Sequence, residues 1–98
     1  MSPRDATLDP DALASRMASI PAWAIVDGHL HREFVFADFA QAFAFMERVA
    51  PIAEGLDHHP DWSNSWNRVV VDITNHDAGG LTDRCLRLAS GIDAVVEA

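Results

Sequence analysis

Two hydrophobic patterns succeed each other along the chain: apolar residues every three or four positions, and apolar residues at every second position. The first period is typical of helices and the second of strands. Asp9 as N-cap and Pro10 at the first helical position predict a first helix, which Pro21 ends after about three turns. Its apolar positions are Leu13, Met17 and Ile20.

The second helix has the clearest signals. Asp38 as N-cap and Gln41 three residues later form a capping box. The predicted buried stripe consists of Phe39, Phe43, Met46, Val49, Ala50 and Ala53. Pro51 removes one backbone hydrogen bond, which predicts a kink or a local break before the last turn, and Gly55 is expected to end the helix.

Two hairpins flank the second helix. In the first, segments 23–26 and 30–36 meet at Asp27-Gly28, a dipeptide that favours a tight turn with positive φ. In the second, segments 62–66 and 68–74 meet near Asn67. The strand faces predicted to be apolar carry Leu30, Phe34 and Phe36 in the first hairpin and Val69, Val71 and Ile73 in the second.

A third helix begins at Thr82 as N-cap, and Gly91 weakens it slightly. Its apolar face is Cys85, Leu88, Ala89, Ile92 and Val95. The order α-β-β-α-β-β-α predicts an α+β fold: one two-layer domain over residues 1–98, with a four-stranded antiparallel sheet and the helices on one face. The two open sheet edges of so small a domain favour a homodimer.

Composition narrows the functional classes. The 98 residues carry 7 Lys+Arg against 15 Asp+Glu, a formal net charge of −8 at pH 7, which disfavours nucleic acids and anionic membranes as partners. The single cysteine, Cys85, cannot form an intramolecular disulfide. Neither a secretory leader nor a membrane-spanning apolar run is apparent, so we expect a cytoplasmic protein.

Candidate chemistry is concentrated around three of the five histidines. His58, His59 and His76 are expected at one rim of the sheet, where loops converge near Glu54, Asp57, Asp61 and Asp77. Pro60 restricts His59 to an extended backbone and so fixes its direction. Taken alone, the His58-His59 pair is also consistent with a turn that caps helix carbonyls, and Trp62 with a core residue rather than a pocket wall.

Proton transfer is the chemistry that this cluster favours. Three histidines and a carboxylate are a possible zinc or iron site, but adjacent histidines are poorly placed for joint ligation, so no metal is expected. The serines and Cys85 have no base at a suitable spacing for nucleophilic catalysis. Imidazole titrates near neutral pH, and the neighbouring acids are expected to favour its charged form.

The run EGLDHHPDW from Glu54 to Trp62, followed by Trp66 and His76, resembles the signature of the pterin-4a-carbinolamine dehydratases. Segments 38–50, 80–84 and 88–90 match the same family in register, so the resemblance covers most of the chain. It implies the α+β fold described above and assembly as a homodimer or homotetramer.

The resemblance implies dehydration of a 4a-hydroxytetrahydropterin, such as 4a-hydroxytetrahydrobiopterin, to quinonoid dihydropterin and water in tetrahydrobiopterin recycling, without metal or organic cofactor. It assigns catalysis to His58, His59 and His76, and we expect His59 and His76 to be the proton-transfer pair, with His58 assisting binding or departure of the leaving group. The expected substrate-binding residues are Glu54, Asp57, Trp62, Thr74, Asn75 and Asp77.

One position departs from the family pattern, which has an aspartate where this chain has Cys85; Asp83 and Asp93 do not have the required spacing. The change either removes a helix cap, at a cost below about 1 kcal/mol, or removes a group that positions a histidine or the substrate.

Two other functions stay open. One is a protein-binding role, because animal members of the family are dimerisation cofactors of a homeodomain transcription factor; the other is pterin binding in a molybdopterin-linked pathway.

Overall fold

The computed structural model describes residues 5–97 and has the predicted element order. The helices are α1 (Pro10–Met17), α2 (Phe39–Leu56) and α3 (Asp83–Glu97), and the strands are β1 (Ala24–Val26), β2 (His29–Val35), β3 (Asp61–Ser65) and β4 (Arg68–Ile73). The strands form one antiparallel sheet in the order β1-β2-β4-β3, so the α+β prediction is confirmed. Residues 1–4 and 98 of the predicted domain lie outside the described residues.

Both hairpin turns lie where they were predicted. Asp27 and Gly28 have φ values of 51° and 79°, the positive torsions that a tight turn between twisted strands requires. In the second turn Trp66 has a φ of 50°. Asn67 ties this turn to the end of β2, because its Nδ2 donates to the Phe36 carbonyl at 3.0 Å.

The hydrophobic core fills the space between one face of the sheet and helices α2 and α3. All the apolar strand positions named above are buried except Phe36, which packs at the margin of the core. Helix α3 buries Cys85, Leu86, Leu88, Ala89 and Ile92, in good agreement with the predicted face. The segment between α1 and β1 adds Ile20 and Trp23.

The predicted buried stripe of α2 was partly wrong. The buried residues of this helix are Ala42, Phe45, Val49 and Ala53, whereas Phe39, Phe43 and Ala50 are exposed. Phe45 packs against Phe34 and Phe36, with ring centroids 4.8 and 5.0 Å apart, and this contact sets the rotation of the helix. Because α2 carries apolar residues on more than one side, periodicity alone did not identify the buried one.

The ends of two helices also differ from the prediction. Helix α1 stops at Met17, and Ile20 reaches the core from the following turn instead. Helix α2 is continuous through Pro51, so the expected local break is wrong; Pro51 lies on the exposed side, where water can satisfy the carbonyl that loses its donor. The helix ends at Leu56, with Asp57 rather than Gly55 at its C-terminal boundary. Within residues 5–97 no helix is both long and apolar enough to cross a bilayer.

Gly91 marks a close approach of α3 to α2. A Cβ atom at this position would lie 2.9 Å from Cγ2 of Ile52, closer than carbon atoms pack. The prediction that Gly91 merely weakens α3 therefore missed its role, which is to let the two helices meet.

Replacing Gly91 by alanine is expected to destabilise the fold. The overlap with Ile52 costs about 1–3 kcal/mol, and the better helix propensity of alanine returns roughly 1 kcal/mol of this. Gly55→Ala is the matched control, because a Cβ there meets no atom within 4 Å, and it should stabilise α2 slightly. Urea denaturation measures both; equal stabilisation by the two substitutions would contradict the close approach.

The other face of the sheet carries a polar network centred on His31. Its Nδ1 lies 2.8 Å from Asp72 Oδ1, and its Nε2 lies 3.4 Å from Glu33 Oε2. Glu33 also accepts a hydrogen bond from Arg68 through Oε1. The hydrogen bond to Asp72 is the main reason that the pKa of His31 is raised above its ordinary value of 6.5.

The raised pKa of His31 predicts a pH-dependent contribution to stability. Because folding favours the charged form, this contribution is fully present below pH 6.5 and is lost as the pH rises through the higher folded-state value. The difference in unfolding free energy between the wild type and His31→Gln should therefore shrink above pH 6.5, by at most about 1 kcal/mol for such a partly exposed pair. Urea titrations at pH 5.5 and 8.5 test this, and a difference that grows with pH would contradict it.

Candidate active site

The site begins with the turn that ends α2. Asp57 adopts the left-handed conformation with a φ of 49°. Its N–H donates to the Glu54 carbonyl at 3.1 Å, and the N–H of His58 donates to the Ala53 carbonyl at 3.0 Å. These two bonds form a Schellman motif, which reverses the chain sharply after the helix. His58 and His59 are thereby held beside the last turn of α2.

A cavity of about 250 Å³ brings together the residues of this turn and of the segment after β4. It is lined by Asp57, His58, His59, Thr74, Asn75, His76 and Asp77. The three histidines predicted to be catalytic therefore share one cavity with four of the predicted substrate-binding residues. Trp62 does not line it, since this side chain packs against the core.

Each of the two exposed histidines has a carboxylate beside it. His59 Nε2 lies 2.6 Å from Oε1 of Glu54, which does not itself line the cavity although it was predicted to bind the substrate. His76 Nε2 lies 3.6 Å from Oδ2 of Asp61. The side chains of His59 and His76 are 57% and 75% exposed, so both rings are within reach of water and of a ligand in the cavity.

His58 lies in a different environment. Burial is the main cause that lowers its pKa, and the Arg84 charge lowers it further, against opposing effects of Asp5 and the Thr74 backbone. Its Nε2 lies 3.4 Å from Sγ of Cys85. The expectation that neighbouring acids favour a charged imidazole is therefore wrong for His58, because loss of hydration outweighs them.

Three residues of this region were not anticipated from the sequence. Asp5 accepts a hydrogen bond from Asn75 Nδ2 at 3.0 Å and pairs with Arg84 at 3.5 Å, which places both charges near His58. His29, at the start of β2, lies edge to face with His76, with ring centroids 6.1 Å apart. These residues come from distant parts of the chain, and no local pattern marks them.

The segment after β4 is held by its own hydrogen bonds. The side chain of Asn75 accepts from the Ala78 N–H at 3.0 Å while its amide donates to Asp5, so its polar atoms help to shape the turn. Thr74 Oγ1 donates to the Gly28 carbonyl at 3.3 Å. These contacts fix the backbone that carries His76.

Neither Asp83 nor Asp93 reaches the position that Cys85 occupies. Asp83 pairs with Arg16 and Arg87 on the outer surface. Asp93 accepts from Trp23 Nε1 at 2.7 Å and pairs with Arg32. No group of three or more His, Cys, Asp or Glu side chains in the described part of the chain is arranged to hold a metal ion.

Comparison with known proteins assigns the chain to a family. Residues 6–95 match the family model described as "Pterin 4 alpha carbinolamine dehydratase". The chain belongs to this family. The resemblance drawn from the histidine signature is thus confirmed over nearly the whole length of the protein.

Individual dehydratase relatives cover most of the chain. Proteins named "Putative pterin-4-alpha-carbinolamine dehydratase" from Solibacter usitatus and Rhizorhabdus wittichii are 46% and 48% identical to it, over 90% and 92% of this chain and 93% and 95% of theirs. The crystal structure of a protein from Brucella melitensis, named a transcriptional coactivator/pterin dehydratase, superposes with a TM-score of 0.86. It is 35% identical and covers 91% of this chain and 97% of its own.

Within the dehydratase fold, the lowered pKa of His58 is directly measurable. We expect this residue to titrate below 6.5 in a histidine NMR titration, because burial disfavours the imidazolium. Asp5→Asn should move the pKa further down, since the carboxylate favours the charged form. Asp11→Asn, an exposed change in α1, is the control and should leave it unchanged. A value at or above 6.5 in the wild type would contradict the assignment.

Proposed function

We propose that this protein dehydrates a 4a-hydroxytetrahydropterin to the quinonoid dihydropterin and water, in the recycling of tetrahydrobiopterin or a related pterin. Membership in the dehydratase family supports the reaction class. The observation that carries the proposal is the pair of exposed histidines, His59 and His76, which line one cavity and each lie next to a carboxylate.

The reaction needs one proton donor and one proton acceptor. The 4a-hydroxyl leaves as water once an imidazolium has given it a proton, and the C4a–O bond breaks. A neutral imidazole takes the proton from N5, and the electron pair released there forms the N5–C4a double bond. Two histidines on opposite sides of the bicyclic ring supply both functions near neutral pH.

His59 and His76 suit these roles better than His58. They come from different segments, the turn after α2 and the turn after β4, and so approach a shared ligand from two directions. Their partners Glu54 and Asp61 orient the rings without burying them. We assign pterin contacts to Asp57, Thr74, Asn75 and Asp77, which line the same cavity.

Loss of either histidine should slow the dehydration. We expect His59→Gln and His76→Gln each to lower kcat by about 10²-fold or more, the usual contribution of a general acid or base. The measurement is the absorbance change of a 4a-hydroxytetrahydropterin in stopped flow, corrected for the uncatalysed rate.

The control for this experiment is His31→Gln, because His31 does not line the cavity and its hydrogen-bond partners are Asp72 and Glu33. That variant should keep the wild-type kcat. The proposal fails if the wild type does not accelerate the reaction, or if the double variant His59→Gln/His76→Gln is as fast as the wild type.

The two alternative functions, a protein-binding role and pterin binding in a molybdopterin-linked pathway, stay predictions. The coactivator function is part of the name of the Brucella melitensis protein, and no feature of residues 5–97 identifies a protein partner for this chain. A pterin of a molybdopterin-linked pathway would use the same cavity, so the same assay with other pterins distinguishes it.

A further inference from the structure

Behind His58, which lines the cavity, lies a short row of buried polar atoms that the proposed reaction does not use. Cys85 Sγ lies 3.4 Å from His58 Nε2 and 3.4 Å from Oγ1 of Thr82. Both Cys85 and Thr82 are 0% exposed. Water therefore does not reach the thiol, and its hydrogen-bond partners are the hydroxyl and the imidazole.

We propose that Cys85 is a positioning residue that holds His58 in the neutral tautomer with the proton on Nδ1. In this arrangement the Thr82 hydroxyl donates to the sulfur, and the thiol donates to the unprotonated Nε2. This leaves the ring proton on Nδ1, free for an oxygen acceptor. The backbone of Thr74 raises the pKa of this ring, which is the effect of a carbonyl that accepts from it. Each donor in the row then faces an acceptor.

The reverse arrangement leaves a mismatch. If His58 donated from Nε2 to the sulfur instead, its donor would be spent on sulfur, which is only a weak acceptor, and the unprotonated Nδ1 could not donate to a carbonyl. That arrangement therefore makes poorer use of the donors and acceptors around the ring. A thiolate paired with an imidazolium is disfavoured as well, because two charges would have to leave water.

The charges around the ring agree with a neutral His58. Burial and the nearby Arg84 and His59 oppose its protonation, while Asp5 and the Thr74 carbonyl favour it, and the balance lies with the neutral form. Both ring nitrogens are then engaged inside the protein. On the proposed function, this leaves proton transfer to His59 and His76 and makes His58 a fixed wall of the cavity.

The tautomer is observable without any substrate. Long-range ¹H–¹⁵N correlation spectra of the ¹⁵N-labelled protein at pH 7.5 distinguish a protonated from an unprotonated ring nitrogen. We expect His58 Nδ1 to be protonated and Nε2 to be bare in the wild type and in Cys85→Ser, which keeps a donor. In Cys85→Ala the two nitrogen shifts should move towards each other, as the other tautomer becomes populated. A proton on Nε2 or on both nitrogens in the wild type, or unchanged shifts in Cys85→Ala, would overturn the proposal.

Two further measurements separate positioning from a merely structural role. Cys85→Ala leaves a cavity, whereas Cys85→Val fills the space of the thiol without providing a donor. Cys85→Val should therefore shift the tautomer in the same way as Cys85→Ala, without the loss of core packing. If neither variant folds, the wild-type spectrum decides alone. In the dehydration assay, Cys85→Val should lower kcat by about tenfold and Cys85→Ser should retain it. An inactive wild type would refute the proposed function and leave the tautomer result intact, whereas equal activity of the two variants would count against positioning.

Discussion

The antiparallel contact between α2 and α3 is the constraint on which the site depends. Gly91 of α3 lies against Ile52 of α2. Cys85, six residues before Gly91, contacts His58, six residues after Ile52, so one helix–helix contact sets both approaches. Without a side chain at position 91 the helices approach closely, and the thiol lies directly beneath the turn that follows α2. Asp57, in the left-handed conformation, reverses the chain so that this turn lies beside the contact between the two helices. Packing in the core and geometry at the rim are therefore parts of one arrangement.

Desolvation, rather than net charge, controls the inner part of the site. A formal charge of −8 suggests that any histidine here is surrounded by acids, yet His58 has a lowered pKa. Most of the acids act through water, where their field is screened, whereas burial removes hydration from the ring itself. An acid does affect the pKa where it contacts a ring directly, as Asp72 does at His31.

Signals that act over a few residues predicted the fold well. Asp9 and Asp38 cap their helices through the expected backbone N–H groups, and Asp27-Gly28 forms the expected turn. The rotation of α2 was not predictable in this way, because the choice between its apolar sides was made by Phe45 packing on strand residues. The histidine cluster was found because its members are close in the sequence or in a recognisable signature. Asp5, Arg84 and His29 were missed because only tertiary packing brings them near it.

The cluster contains two environments, and each suits a different task. A histidine that transfers protons must recover its starting protonation state after every turnover, and the exposed rings of His59 and His76 can do so by exchange with water. The ring of His58 is more buried, and its Nε2 contacts the thiol of Cys85 rather than a carboxylate. An aspartate at position 85, the residue that the resemblance led us to expect, would place a carboxyl group against this ring and would favour an imidazolium as its partner. The thiol of Cys85 places no such charge beside His58, so on the proposed function proton transfer belongs to the two outer histidines.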